Sequence, residues 1–190
     1  MNTQLEGIKV AILATDGFEQ SELFEPKKAL ENAGATVSVV SPTSGEIKGW
    51  DETNWGERVK VDLPLSEANA EDFDALHLPG GVMNPDNLRV DEAAIAFVKA
   101  FFDAGKPVAA ICHAPWTLIN AEVVKGRHLT SYHTLRKDLE NAGANWTDAE
   151  VVVDNGLITS RNPDDIPAFN RKLIEEIAEG KRHKGMTANK

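Results

Sequence analysis

Cys112 is the only cysteine of the chain, and His113 follows it directly in the stretch PVAAICHAPWTLI. A thiol attacks carbonyl carbon as its thiolate, so the pair raises two questions: what removes the proton, and what presents the sulfur. The apolar run before Cys112 reads as a buried strand, and the pattern from Pro115 onward reads as a helix. A cysteine on such a turn faces free backbone N–H groups, which favour the thiolate and lower its pKa. The competing reading is a small, buried, inert hydrophobe, the usual state of a lone cysteine. Position favours the nucleophile. The same strand-to-helix turn exposes the serine of other α/β hydrolases, although the glycines flanking that serine are absent here.

Two more segments of chemical character end strands. LPGGVMNP closes one with Gly80-Gly81, where a tight turn is the plain reading. Beside an elbow cysteine, the Gly81 and His113 N–H groups together form an oxyanion hole. TDGFE carries Glu19, for which a helix N-terminal charge is the first reading. Its alternative is a partly buried acid that hydrogen-bonds Cys112 and stays protonated. His113 reaches the thiol only if the elbow bends it back, and it then needs an acid to fix its tautomer. The sequence leaves that acid open. His77 alternates within a strand and reads as structural. The spacings of His113, His128 and His133 match no metal-ligand pattern, so neither metal nor cofactor is expected.

The elements that must position these groups alternate. Apolar or β-branched runs at Lys9–Ala14, Ala35–Ser41, Phe73–Gly81 and Lys106–Ile111 read as strands. Helical patterns cover Glu19–Asn32, Asp91–Asp103, Pro115–Val124, His133–Asn141 and Pro163–Ala178. Gly45–Asp62 reads as a hairpin excursion, Gly126–Ser131 as a short strand, and Asp154-Asn155-Gly156 as the turn of a second hairpin. Strands alternating with helices predict an α/β fold whose mostly parallel sheet is covered by helices on both faces. Ligands in such sheets sit at the carboxyl ends of strands, which is where the three chemical segments fall.

Composition narrows the class. The 190 residues, 42% hydrophobic and 26% charged, suit a single domain over residues 1–180 with a polar tail over 181–190. A net charge of -10 without a basic cluster before the C-terminus argues against nucleic acid. No apolar run approaches the ~20 residues of a membrane span, and the N-terminus lacks a signal-peptide pattern. One unpaired cysteine fits a reducing, cytoplasmic setting.

The segments ILATDGFEQSEL, FDALHLPGG, LRVDEAAIAFV, GKPVAAICHAP, GRHLTSY and NAGANWTDAEVVVDNGLITSRNPDDIPAFN occur here in an order that resembles the PfpI family. That family comprises intracellular proteases and protein deglycases of the parkinsonism-associated deglycase superfamily, which is class I glutamine amidotransferase-like. The resemblance spans roughly residues 8–178, and ICHAP with TSRNPDD is its specific part. It implies a flavodoxin-like sandwich, Cys112 as nucleophile, His113 as base or orienting partner, and Glu19 as the acid beside the cysteine. It also implies a second acid, Glu92, donated to the histidine by a neighbouring subunit of a dimer or hexamer. Tyr132 matches a pocket tyrosine, and Trp116 is a bulky pocket residue. The chain departs from the family pattern at Ala114, where glycine is usual after Cys-His, and at His133, where proline is common.

The resemblance leads to a cysteine-dependent stress-response hydrolase acting on carbonyl adducts or on peptides, with small carbonyl adducts favoured. The alternative is a redox-sensing cysteine protein or stress chaperone with little turnover, in which a low-pKa, accessible thiol oxidises readily to sulfenic or sulfinic acid, with no second cysteine to resolve it. A glutamine amidotransferase would bring a His-x-Glu pair, and no histidine here has glutamate two residues on.

Overall fold

Chain segments rich in Val, Ile and Ala lie at the centre of the molecule because they are buried on two faces at once. The computed structural model describes residues 4–187. Its elements are β1 (Lys9–Leu13), β2 (Phe18–Glu19), α1 (Gln20–Asn32), β3 (Thr36–Ser41), β4 (Glu46–Asp51), β5 (Asn54–Lys60), β6 (Leu63–Pro64), β7 (Ala75–Leu78), α2 (Met83–Leu88) and α3 (Glu92–Asp103). They continue through β8 (Val108–Ile111), α4 (Pro115–Asn120), β9 (His128–Leu129), α5 (Arg136–Asn141), β10 (Asn145–Trp146), β11 (Val152–Asp154), β12 (Leu157–Ser160) and α6 (Ile166–Thr187).

The main sheet has the order β11-β12-β8-β7-β1-β3-β6. Its neighbours run parallel except for the hairpin β11–β12. The alternating pattern therefore produces the expected α/β sheet with helices on both faces. Side-chain alternation divides each strand between two cores. Leu76, Leu78, Val108 and Ala110 face Phe97, Val98, Phe101, Leu118 and Leu139 of α3, α4 and α5. Ala75, Ala109 and Ile111 face Leu30 of α1 and Phe169, Leu173 and Ile177 of α6. From β1 the chain steps first to β3 on one side and then to β7 on the other. The carboxyl ends of β1, β7 and β8 consequently meet at the switch of direction.

The hairpin at Gly45–Asp62 forms as anticipated from β4 and β5, but it builds a separate small sheet. The third strand of that sheet is β2, with Phe18 opposite Gly49 and Glu19 opposite Trp50. Two residues carry no periodicity, so β2 was not legible in the sequence. The same holds for α2 and for β10, which pairs with β9. The helix expected over Pro115–Val124 ends at Asn120, where Glu122 takes a positive φ of 59°. The last helix runs past Ala178 to Thr187. Residues 1–3, part of the N-terminus read as lacking a signal-peptide pattern, and the last three residues of the polar tail lie outside the described residues.

Phe101 is fully buried between β-sheet and α3 neighbours, 5.2 Å ring to ring from Phe97. Phe101→Ala is expected to cost about 3–5 kcal/mol of stability by urea denaturation, because a cavity adds to the lost transfer energy.

Candidate active site

The site is assembled from the ends of three strands. β8 stops at Ile111, and Cys112 takes a φ of +64°, a left-handed conformation that costs a non-glycine residue about 1–3 kcal/mol. The surroundings over-determine it. Cys112 N–H donates to Ser160 O at 3.1 Å, and Cys112 O accepts from Tyr132 N–H at 2.8 Å. Ala114 N–H then donates to Ile111 O, closing the turn at 3.1 Å. Cys112 is only 7% exposed.

Against the thiol lies the carboxyl of Glu22, a fully buried residue of the first turns of α1. Its Oε2 accepts from Gly80 N–H at 2.8 Å, while Oε1 is buried without a partner. Burial, partly offset by the Gly80 N–H, pushes the Glu22 carboxyl up to about 8. It is therefore protonated at neutral pH, the cheaper state for a carboxyl removed from water. Gly80 must be glycine. A Cβ there would stand 2.5 Å from Glu22 Oε2, 2.6 Å from Cys112 Cβ and 2.7 Å from Ile111 O. Gly81, at φ +78°, passes so close to Gly17 O and Glu19 N that a side chain has no room.

Opposing forces act on the sulfur. Burial and the Glu22 carboxyl raise the Cys112 thiol, whereas the N–H groups of Gly81 and His113 lower it. The balance is upward, against the expectation from the helix terminus, because desolvation outweighs two N–H donors. The two amides read as an oxyanion hole are thus both near enough to the thiol to act on it.

The elbow bends His113 back so that Nδ1 lies 3.1 Å from Sγ. Thr134 Oγ1 is 3.5 Å from its Nε2. Tyr132 stacks on the ring at 4.6 Å, and Trp116 meets its edge at 5.2 Å. Trp116 is held by Asp138 Oδ2, 2.9 Å from the indole N–H, and by the Arg89 guanidinium over its face. Burial first, then the charge of His133, lower His113 to about 4, so it is a neutral imidazole at physiological pH.

The structure brings Cys112, His113, Gly81, Tyr132 and Trp116 together. It does not bring Glu19. The pairing of β2 with β4 draws Glu19 toward the hairpin, where burial and the carboxylates of Asp51 and Glu52 raise its pKa. As the residue preceding α1 it makes no side-chain cap bond. The acid beside Cys112 is Glu22, three residues on. A signal for it exists in the sequence, since Glu22, Pro26 and Leu30 recur at helical spacing on the buried stripe of α1. A charged residue in that register is the anomaly to look for. Glu92 begins α3 at the surface, next to Val90, which is 75% exposed. The shift of His113 contains no contribution from Glu92 of the same chain. The Ala114 methyl packs into the α3–α4 core at negative φ, so it leaves the elbow intact. Among the described residues, no three His, Cys, Asp or Glu side chains group as a metal-ion site.

Comparison with known proteins places the chain among relatives of the same length and fold. The model of the DJ-1/PfpI family matches residues 8–176. YraA of Bacillus subtilis, provisionally named a cysteine protease, is 49% identical over 167 residues, covering 87% of this chain and 96% of that protein. Deglycase TK1284 of Thermococcus kodakarensis is 46% identical over 168 residues, covering 88% and 98%. The crystal structure of Drosophila melanogaster DJ-1beta superposes with a TM-score of 0.82 at 28% identity, covering 95% of this chain and 97% of that one.

Two outcomes follow from the buried carboxyl. The buried histidines, lowered to about 4, are neutral in the folded chain, and the unfolded chain loses their protons near 6.5, so above about pH 7 Glu22 dominates the remaining pH dependence. An unfolded chain ionises Glu22 near 4.5 while the folded one holds the proton to about 8. Stability is therefore expected to fall as pH rises from about 7 to 8, and Glu22→Gln to flatten that slope in urea titrations. Gly80→Ala is expected to slow alkylation of Cys112 by about tenfold or more, with near-UV dichroism reporting the retained fold.

Proposed function

The chain belongs to the DJ-1/PfpI family, and on that footing we propose that it is a cysteine-dependent hydrolase of the stress response, acting in the cytoplasm on small carbonyl adducts. The observation that carries this reading is the Cys112 elbow: a nucleophile residue at positive φ, His113 Nδ1 at 3.1 Å from its sulfur, and the Gly81 and His113 N–H groups acting on the thiol. A neutral His113 with its proton on Nε2, toward Thr134, has a free Nδ1 lone pair to take the thiol proton. Sulfur then bonds to the carbonyl carbon, and the displaced electron pair on oxygen is held by the Gly81 and His113 amides. The protonated Glu22 supplies a further donor and keeps a second negative charge away from the thiolate.

Small substrates are favoured by burial. Cys112 is 7% exposed and His113 is walled by Tyr132 and Trp116, which suits a glyoxal-type adduct better than an extended peptide. The name of the deglycase relative supports the same choice. Glu92, exposed at the start of α3, is the acid we assign to His113 of a neighbouring subunit in a dimer or hexamer. Its ionised carboxyl would raise His113 and let it hold the proton. A second reading, the redox sensor, draws on Glu22, whose protonated carboxyl can hydrogen-bond a sulfenate or sulfinate on Cys112.

Methylglyoxal loss and cleavage of a fluorogenic peptide, measured side by side, test the proposal. Cys112→Ser is expected to reduce methylglyoxal loss to background while peptide cleavage stays negligible in both proteins. Turnover retained in the variant refutes the nucleophile, and peptide cleavage that depends on Cys112 makes the protein a protease. Rapid peroxide oxidation of Cys112 without either turnover favours the sensor. Glu92→Gln is expected to lower turnover about tenfold or more with thiol alkylation unchanged. Activity per protomer should also fall on dilution through the dissociation range seen by sedimentation.

A further inference from the structure

His77 is a fully buried imidazole in the middle of an apolar strand, and nothing in the chemistry above uses it. Its Nε2 lies 2.7 Å from the main-chain oxygen of Glu22. That oxygen is free for a reason written in α1. Pro26, four residues on, carries no N–H to close the helical bond to Glu22 O. In a helix facing solvent, water would fill the gap; here Glu22 and Pro26 are on the buried stripe. An unpaired carbonyl there would cost about 1–3 kcal/mol.

The second observation concerns where the partners come from. Gly80, which follows β7, donates its N–H to Glu22 Oε2 at 2.8 Å. His77 belongs to β7 itself, three residues earlier. One strand end thus grips Glu22 twice, by its main chain and by its carboxyl. The grip is itself braced, because the Asn84 amide donates to Pro79 O at 2.9 Å and Gly80 O at 3.2 Å. Asn84 Oδ1 accepts from Thr15 N–H beyond β1 at 2.8 Å. Phe169 of α6 packs on the far side of the imidazole, 5.5 Å ring to ring.

We propose that His77 is a positioning residue: as an Nε2–H donor to the carbonyl that Pro26 leaves free, it fixes the first turns of α1 and so holds the Glu22 carboxyl against Cys112. A carbonyl only accepts, which requires the proton on Nε2. Complete burial keeps the ring neutral, lowering it to about 4. The inference rests on the reading of Cys112 as the working group, and it adds to the site a residue that never touches substrate. It also gives the proline a role. Pro26 opens the acceptor that ties α1 to the strand carrying Gly80, where an ordinary helix would close that bond on itself.

The test is the pH profile of Cys112 alkylation by iodoacetamide in the full chain, with Glu22→Gln as the reference. His77→Leu is expected to change the rate at neutral pH about threefold or more, in the same sense as Glu22→Gln. His77→Gln, which offers an N–H near the Nε2 position, should stay within about twofold of the wild type. Pro26→Ala restores the helical N–H, so adding His77→Leu to it should change the rate less than about twofold. A His77→Leu variant that loses thermal stability but keeps the wild-type profile overturns the proposal, leaving packing as the role of the ring. An unchanged profile in Glu22→Gln overturns it as well, since there is then nothing to position. If His77→Leu does not fold, nitrogen NMR of the wild-type imidazole decides. A neutral ring protonated on Nε2 above pH ~5 is expected, and an Nδ1-protonated tautomer refutes the donor. Alkylation is read independently of turnover, so an absence of hydrolase activity would count against the proposed function and leave this result standing.

Discussion

The constraint on which the rest depends is a carboxyl buried beside a thiol. Two acids placed together out of water cannot both ionise, and the surroundings decide which gives up its proton first. Glu22 is held protonated by burial, with one N–H from Gly80 partly compensating. That choice matters for Cys112. An ionised Glu22 opposes the thiolate, whereas a protonated one is a hydrogen-bond donor to it. Much of the local architecture makes this juxtaposition possible. Gly80 has no side chain because Glu22 and Cys112 occupy the space, and Gly81 has none because Gly17 and Glu19 pass beside it. The positive φ of Cys112 brings the sulfur into the same small volume.

The histidine side of the sulfur is built differently. His113 is sandwiched by Tyr132 and Trp116 and is close to a second imidazole, His133, so burial and repulsion both disfavour its charge. Within one chain it is a base with little capacity to hold a proton. In the proposed assembly an acid from outside complements it, and Glu92, exposed at the start of α3, is the residue assigned to that role. Under that proposal association would turn a weak base into one that can store charge during the reaction. Trp116, pinned by Asp138 and covered by Arg89, sets how much room remains.

Strand ends contribute unequally. β8 delivers the nucleophile and its histidine, β7 delivers one amide of the proposed oxyanion site, and the turn after β1 with Thr15 and Gly17 closes around them. None of these segments is long. Their precision comes from the six parallel strands behind them, whose register leaves little freedom at the carboxyl edge.

The sequence by itself determined the class of fold, because apolar runs of strand length alternating with helical patterns leave few alternatives to a covered parallel sheet. It also determined the pair Cys112–His113, since a strand running into Ala114-Pro115 must turn sharply there. The glycine pair was legible for the same local reason. The acid beside the thiol was not: the family resemblance pointed to Glu19, whereas Glu22 lies three residues on, on the buried stripe of α1 itself. What separates them is β2, a two-residue pairing with a hairpin thirty residues away that only tertiary contact creates. The same limit hid His77. Its meaning depends on a carbonyl in another element that lacks a donor because of a proline four positions further on. Local rules fixed where the chain turns; the packing of α1 on β7 decided which carboxyl meets the sulfur.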